Sequence, residues 1–277
     1  MKLARAQTND GPVVIIRGAI DSVALVGGRA FSDLTDLLAA CDGDARAITP
    51  GQPIQVRDEQ LLSPVGRPRK IIGIGLNYRD HAAEAGLQPP PYPTIFPKWD
   101  NGIAGPYDDI PLPPESQQVD WEAELAFVFG RRCRRVAAAD AANVVFGYTA
   151  ANDVSMRDFQ FQTTQWGPGK CWDRATPVGP VVVTSDELGG ALPDLAIRGL
   201  LNGQLMQNSR TSDLIFGIGQ LVAYLTTIMT MEPGDLVLTG TPAGVGSARK
   251  HFLQPSDIYE VEIEGIGRLR NRFVREG

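Results

Sequence analysis

The sequence predicts a mixed α+β fold that is rich in strands, and three observations carry that expectation. The 30 glycines and 21 prolines among 277 residues exceed average usage without reaching low complexity, which favours many turns and short strands. The apolar runs are short and bounded by Gly, Pro and Asp. Helices alternating with strands in strict βαβ order are missing, which argues against a Rossmann or TIM-barrel architecture.

Residues 1–65 read as a small N-terminal α+β module and residues 66–277 as the main body. In the module, Val13-Val14-Ile15-Ile16 and Val23-Ala24-Leu25-Val26 read as strands. Phe31 to Leu38 has helical spacing, with Ser32 as its cap. Ser63-Pro64-Val65-Gly66-Arg67-Pro68 is a linker, disfavouring helix and strand alike. Beyond it, Lys70 to Ile74 is a strand, and Asn77 to Glu84 a short helix with Asn77 as N-cap and Gly86 just past its end. Pro89 to Pro97 and Pro106 to Pro114 read as proline-rich loops. Trp121 to Phe129 is a strand of high β-propensity. Asp213 to Thr226 is a helix with Leu214, Ile218, Leu221 and Leu225 on one face, and Asp235 to Thr239 and Ile258 to Ile263 are strands. No internal repeat is present.

Composition narrows the function. A net charge of −6 speaks against a nucleic-acid partner, because such proteins present a basic surface that displaces phosphate counterions. No stretch approaches the ~18 consecutive apolar residues of a membrane span, and the first ten residues lack the apolar core of a signal peptide. Cys41, Cys133 and Cys171 are odd in number and far apart, which fits a reducing cytoplasm better than a disulfide framework.

The sharpest local signal is Asp120-Trp121-Glu122-Ala123-Glu124-Leu125-Ala126-Phe127-Val128-Phe129. Side chains alternate along a strand, so Trp121, Ala123, Leu125, Phe127 and Phe129 share an apolar face, and Asp120, Glu122 and Glu124 line the other. Like charges so close raise one another's pKa unless a cation offsets them, and hard cations such as Mg²⁺ or Mn²⁺ take carboxylate oxygens. An edge strand with a polar side is the alternative. His81 and Glu84 are neighbours at i,i+3 on a helix, where the carboxylate can orient the imidazole and raise its basicity. The other reading is a surface pair. With only two histidines, His81 and His251, a multi-histidine zinc site is excluded. Gly73-Ile74-Gly75-Leu76-Asn77-Tyr78 lacks the third small residue of a dinucleotide fingerprint, and Gly167-Pro168-Gly169-Lys170-Cys171 lacks the Ser or Thr of a phosphate loop.

Taken together, the segments from about Arg69 to near the C-terminus resemble the fumarylacetoacetate hydrolase superfamily, in its bacterial acylpyruvase-like branch. The shared stretches are Gly73 to His81, Asp120 to Glu124, Asn152 to Asp158, Gly169-Lys170 with Asp173, Pro177 to Pro180, and Gly234 to Gly246. The resemblance implies a twisted mixed β-roll behind the N-terminal module and a homodimer. It implies Glu122, Glu124 and Asp153 as ligands of Mg²⁺ or Mn²⁺, and a His81–Glu84 pair that activates water. It further implies Lys170 as a catalytic lysine beside the enolate, and Lys98 and Thr241 as substrate-binding residues. The implied reaction is hydrolysis of a C–C bond in an acylpyruvate or similar β-diketo acid. The alternative is decarboxylation of an oxaloacetate-type acid or keto–enol isomerisation of an aromatic-catabolism intermediate on the same scaffold. Trp99 and Trp172 are bulkier than the resemblance leads one to expect, which implies a narrowed pocket. Arg157 and Asp158 are expected to form a structural ion pair, Asp120 to stand behind the ligands, and Cys171 to be an incidental thiol.

Overall fold

The computed structural model describes residues 1–190 and 193–276. At its centre lies the strand Ala123–Phe129, all seven residues of which are buried. It pairs antiparallel with Val145–Asn152 on one side and with Leu236–Leu238 on the other. This is an interior strand, so its carboxylates are not the polar side of a sheet edge. Alternation sorts its side chains between two cores. Trp121, Ala123, Leu125, Phe127 and Phe129 pack with Ile197, Tyr259, Val261 and Phe273 and with the helix residues Ile218, Leu221 and Leu225. Ala126 and Val128 pack instead with Leu34, Leu37 and Leu38 of the N-terminal helix. Each face of the sheet therefore has its own cover.

The large sheet is mixed and runs, in spatial order, from Arg29–Ala30 through Ser22–Val26, Gly11–Ile16 and Lys2–Thr8 to Thr176–Thr184, then Val145–Asn152 and Ala123–Phe129, and on to Leu236–Leu238, Ile71–Gly75 and Thr94–Lys98. Leu236–Leu238 and Ile71–Gly75 are parallel; their neighbours are antiparallel. Lys2–Thr8 joins this sheet with Leu3 opposite Val182 of Thr176–Thr184. A second, five-stranded sheet is built on Ala196–Leu201, Gln204–Arg210, Ile258–Ile263 and Gly267–Arg275. The expected β-rich α+β architecture is observed.

Several local expectations are corrected. The N-terminal helix spans Leu34–Cys41 and is capped by Asp33, which accepts from Thr35 N at 2.8 Å, rather than by Ser32. The short helix begins at Arg79 and Asn77 does not cap it. The Asn77 amide instead donates to Thr239 O at 2.8 Å and Phe216 O at 3.1 Å and accepts from Phe216 N at 2.8 Å. Those bonds, with the Tyr78–Leu214 bridge, tie 214–216 to the Asn77 segment, so the helix expected from Asp213 starts only at Ile218. Thr94–Lys98 and Ile110–Leu112, both expected as loop, are strands. Each lies at a sheet edge, the one place where Pro97 and Pro111 can miss a ladder bond at low cost. No helix among the described residues is long and apolar enough to cross a membrane.

Candidate active site

Strand pairing explains how residues thirty apart in sequence meet. Ala123 lies opposite Asn152 in the antiparallel ladder. The next step outward brings Glu122 opposite Asp153, where Asp153 N donates to Glu122 O at 3.0 Å and Glu122 N donates to Asn152 Oδ1 at 2.9 Å. Glu122, Glu124 and Asp153 are all buried, and one carboxylate oxygen from each lies within 4.8 Å of the others.

A collar of cations surrounds this cluster. Lys170 Nζ donates to Glu122 Oε2 at 2.7 Å and to Asp153 Oδ2 at 2.9 Å. Lys98 Nζ donates to Asp153 Oδ1 at 2.5 Å and to Lys170 O at 2.6 Å. Arg157 Nε donates to Asp120 Oδ2 at 2.8 Å. Its Nη2 stands 2.7 Å from Glu122 Oε1 but out of line, giving an ion pair without a formed hydrogen bond. Asp120 is saturated by other donors: Oδ1 accepts from Trp121 N and Gly246 N, and Oδ2 from Ser247 N as well as Arg157. It stands behind the cluster, as the sequence suggests.

These contacts divide the acids electrostatically. Burial alone would raise the Glu122 carboxyl, but Lys170 and then Arg157 outweigh it and hold the group at about 2. Burial lowers the affinity of Lys170 for its proton, yet Asp153 and Glu122 more than restore it, and the group titrates above its ordinary value. Glu124 forms no ion pair among the described residues. Burial, then Asp153 and Glu122, push it well above the usual carboxylate range, against the nearby Lys170 charge and the Gly240 N–H that donates to Oε2 at 2.7 Å. Positive charge is short at Glu124, in a nest of three buried oxygens. That donor set fits a hard divalent cation.

The cluster opens into a cavity of about 170 Å³ whose walls include Glu122, Glu124, Arg157, Gln160, Lys170, Thr241 and His81. His81 sits on the helix Arg79–Glu84, with Nδ1 3.5 Å from Glu84 Oε2. Glu84 is itself fixed, both its oxygens accepting from Gly244 N at 3.0–3.1 Å, and Asp80 Oδ1 accepts from Ala243 N at 3.2 Å. The helix thereby hangs on the 242–244 turn at the far end of the cavity.

All eight residues singled out from sequence gather here, but not all face the cavity. Lys98, expected to touch substrate, is buried behind Asp153 and is not among the cavity walls; both its bonds serve to fix Asp153 and the Lys170 backbone. Thr241 lines the cavity, yet its hydroxyl donates to Ala123 O at 2.9 Å and accepts from Gln207 Nε2 at 2.8 Å. Trp99 and Trp172, expected to narrow the pocket, line a separate groove of about 940 Å³ that contains none of the three acids. Arg157 does not pair with Asp158, whose carboxylate accepts from Ser116 Oγ and Gln117 N instead. Arg157 and Gln160, joined by an Nη1–Oε1 bond of 2.8 Å, are site residues that sequence reasoning missed. The available signal was their position four and seven residues after Asp153, which sends them back toward it from the helix Arg157–Gln160. Cys171 donates to Pro97 O, and burial pushes its thiol up, away from nucleophilic character.

Residues 70–274 match the family described as fumarylacetoacetate (FAA) hydrolase C-terminal. The chain is 44% identical over 234 residues to the mitochondrial oxaloacetate tautomerase FAHD2B of Bos taurus, covering 83% of this chain and 74% of that one. Among solved structures it is similar to a 5-carboxymethyl-2-hydroxymuconate delta-isomerase from Mycobacterium smegmatis, with a TM-score of 0.78, 34% identity and all of both chains covered. It is likewise similar to the fumarylacetoacetate hydrolase EaFAH of Exiguobacterium antarcticum, with a TM-score of 0.82, 31% identity and full coverage of both chains.

Proposed function

The chain belongs to the fumarylacetoacetate hydrolase family, and on that premise we propose that it interconverts the enol and keto forms of a small 2-oxo acid with the help of Mg²⁺ or Mn²⁺. One observation carries the reading: Glu122, Glu124, Lys170 and His81 line a single cavity, with Asp153 clustered against the two acids and Glu84 beside His81. The names tautomerase and delta-isomerase among similar proteins support this reading, while the similar fumarylacetoacetate hydrolase keeps cleavage as the second.

Glu122, Glu124 and Asp153 would hold the ion, which when bound would supply Lewis acidity toward the 2-oxo group. The chain's own residues do the rest. Arg157, whose Nη2 lacks an aligned acceptor, and Gln160 orient the substrate carboxylate. The Lys170 ammonium balances charge on the enolate oxygen. His81, oriented by Glu84, moves the proton at C3. The enol oxygen gives up its proton, C3 gains one, and no carbon–carbon bond breaks. Lys98 and Thr241 act by fixing Asp153 and the Gly240 turn.

Hydrolysis of a β-diketo acid is the second reading, and the His81–Glu84 pair at the cavity wall favours it, since the same imidazole can take a proton from water. The water oxygen then joins the distal carbonyl carbon, and the electron pair of the broken C–C bond becomes the same enolate. Decarboxylation of an oxaloacetate-type acid would reach that enolate without water. We also place the enzyme in the cytoplasm, in keeping with three free thiols, and expect a homodimer, which light scattering checks.

The test is to give the Mg²⁺- or Mn²⁺-loaded protein enol-oxaloacetate, keto-oxaloacetate and an acylpyruvate, and to identify the products. Ketonisation of the enol without loss of carbon, abolished by a chelator and restored by the ion, is expected. Acid products from the acylpyruvate at a faster rate would assign the hydrolase reading instead.

A further inference from the structure

The cavity has two unlike halves, and the second has no place in the chemistry above. Besides the acids and cations, its walls are Ile74, Leu76, Leu87, Phe96, Phe161 and Trp166. The Phe96 and Trp166 rings are 5.7 Å apart at 60°, and Lys170 Nζ lies 5.2 Å from the centre of Phe96, so this wall begins where the polar floor ends. Two glycines make room for it. A methyl on Gly75 would fall 2.0 Å from a carbon of the Trp166 ring, and one on Gly73 would fall 2.2 Å from the Phe96 ring. At the mouth, Phe161 and Leu87 are 66% and 54% exposed, large apolar side chains left against water around an opening.

Charge points the same way. The two cations that line the cavity, Lys170 and Arg157, already face carboxylates, Lys170 those of Glu122 and Asp153 and Arg157 those of Asp120 and Glu122, and the reading above assigns Arg157 to the substrate's first carboxylate. Among the described residues the apolar half contributes no cation at all. A second carboxylate on the substrate would lose its water there and gain no partner. An uncharged ring loses nothing. An apolar cavity of about 150 Å³ holds a benzene molecule, so a cavity of about 170 Å³ sets one ring as the largest substituent it can take.

We propose that this site prefers a 2-oxo acid bearing an uncharged aromatic substituent, seated against Phe96, Trp166 and Phe161, over a dicarboxylic 2-oxo acid. The inference rests on the reading of the cavity as a 2-oxo acid site and departs from the substrate in the names of similar proteins.

Phenylglyoxylate and ketomalonate are 2-oxo acids that cannot enolise, so their binding is separable from turnover. Calorimetric titration of the Mg²⁺-loaded protein is expected to give phenylglyoxylate at least about tenfold tighter binding, the discrimination a well-filled apolar pocket achieves. Trp166→Ala and Gly75→Ala should erase that preference while leaving ketomalonate little changed, and Trp166→Phe should keep most of it. Equal or tighter binding of ketomalonate, or a Trp166→Ala loss shared equally by both acids, overturns the inference. In parallel, ketonisation of enol-phenylpyruvate and enol-oxaloacetate is followed. Turnover of oxaloacetate with the reversed binding order sinks only this inference, whereas no turnover of either enol sinks the underlying reading and this one with it.

Discussion

The acidic floor and the histidine helix face each other across one cavity, yet they are built on opposite principles. The floor is over-determined. Glu122, Glu124 and Asp153 are buried at the end of an interior strand pair, and Lys98, Lys170 and Arg157 pair with Asp153 and Glu122. The helix Arg79–Glu84 is six residues long and hangs from the 242–244 turn by hydrogen bonds to Asp80 and Glu84. A site that must bind a small hard ion needs fixed oxygens, whereas a residue that moves a proton must approach a substrate only after it has entered. Changes to the floor should therefore act on ion binding, and changes to the helix on rate alone.

The sharpest way to break this contrast is Glu124→Gln. Loss of a donor oxygen should lower activity by more than about 100-fold, beyond the upper end of what outer partners of an ion cost, and calorimetry should register no ion binding. The same substitution should stabilise the ion-free protein. The Glu124 carboxyl titrates far above its unfolded value, so it favours folding below the unfolded carboxylate range and costs stability as pH rises through the raised value. Gln imitates the protonated acid. At pH 8 without metal, Glu124→Gln should gain about 1–3 kcal/mol in urea unfolding, as replacements of uncompensated buried charge often do. An unchanged or lower midpoint would mean the acid is already compensated. Because a bound ion must displace that proton, affinity should fall as pH falls, and titrations in two buffers of different ionisation enthalpy should reveal proton release.

His81→Ala comes next. The rate should drop by about 10²–10⁴-fold, the usual worth of a positioned general base, with ion affinity intact. A parallel loss of ion binding would erase the distinction between floor and helix. Glu84→Gln, which keeps the acceptor for Gly244 N but removes the charge beside His81, should cost about tenfold in rate and shift the pH profile. Smallest of all, Cys171→Ser should change activity by less than about twofold, as surface substitutions away from special features do. A large loss there would revive a thiol role that the raised pKa argues against.

The clustered acids were more legible than the walls around them. Alternation from Trp121 to Phe129 separated an apolar row from an acidic one, and the two observed cores divide those residues as read. His81 and Glu84 were readable because i,i+3 spacing is local. Lys98 was misplaced because its role depends on how Thr94–Lys98 pairs with Ile71–Gly75, a register that no local pattern encodes. Arg157 was assigned to Asp158, its sequence neighbour, when its partners lie 35 and 37 residues upstream. Trp99 and Trp172 were assigned to the pocket because the resemblance implies smaller residues there, whereas the structure places both in a separate groove.

By itself the sequence determined the class of fold and the family, and it marked Glu122 with Glu124 and His81 with Glu84 as local pairs, since period and residue chemistry are local properties. Only the tertiary structure decided which cations neutralise which carboxylates, that of the three clustered acids Glu124 forms no ion pair among the described residues, and that the cavity's other walls are largely apolar and aromatic. Coulombic balance and cavity shape are sums over neighbours brought together by strand register, and register is fixed by the whole sheet rather than by any one segment.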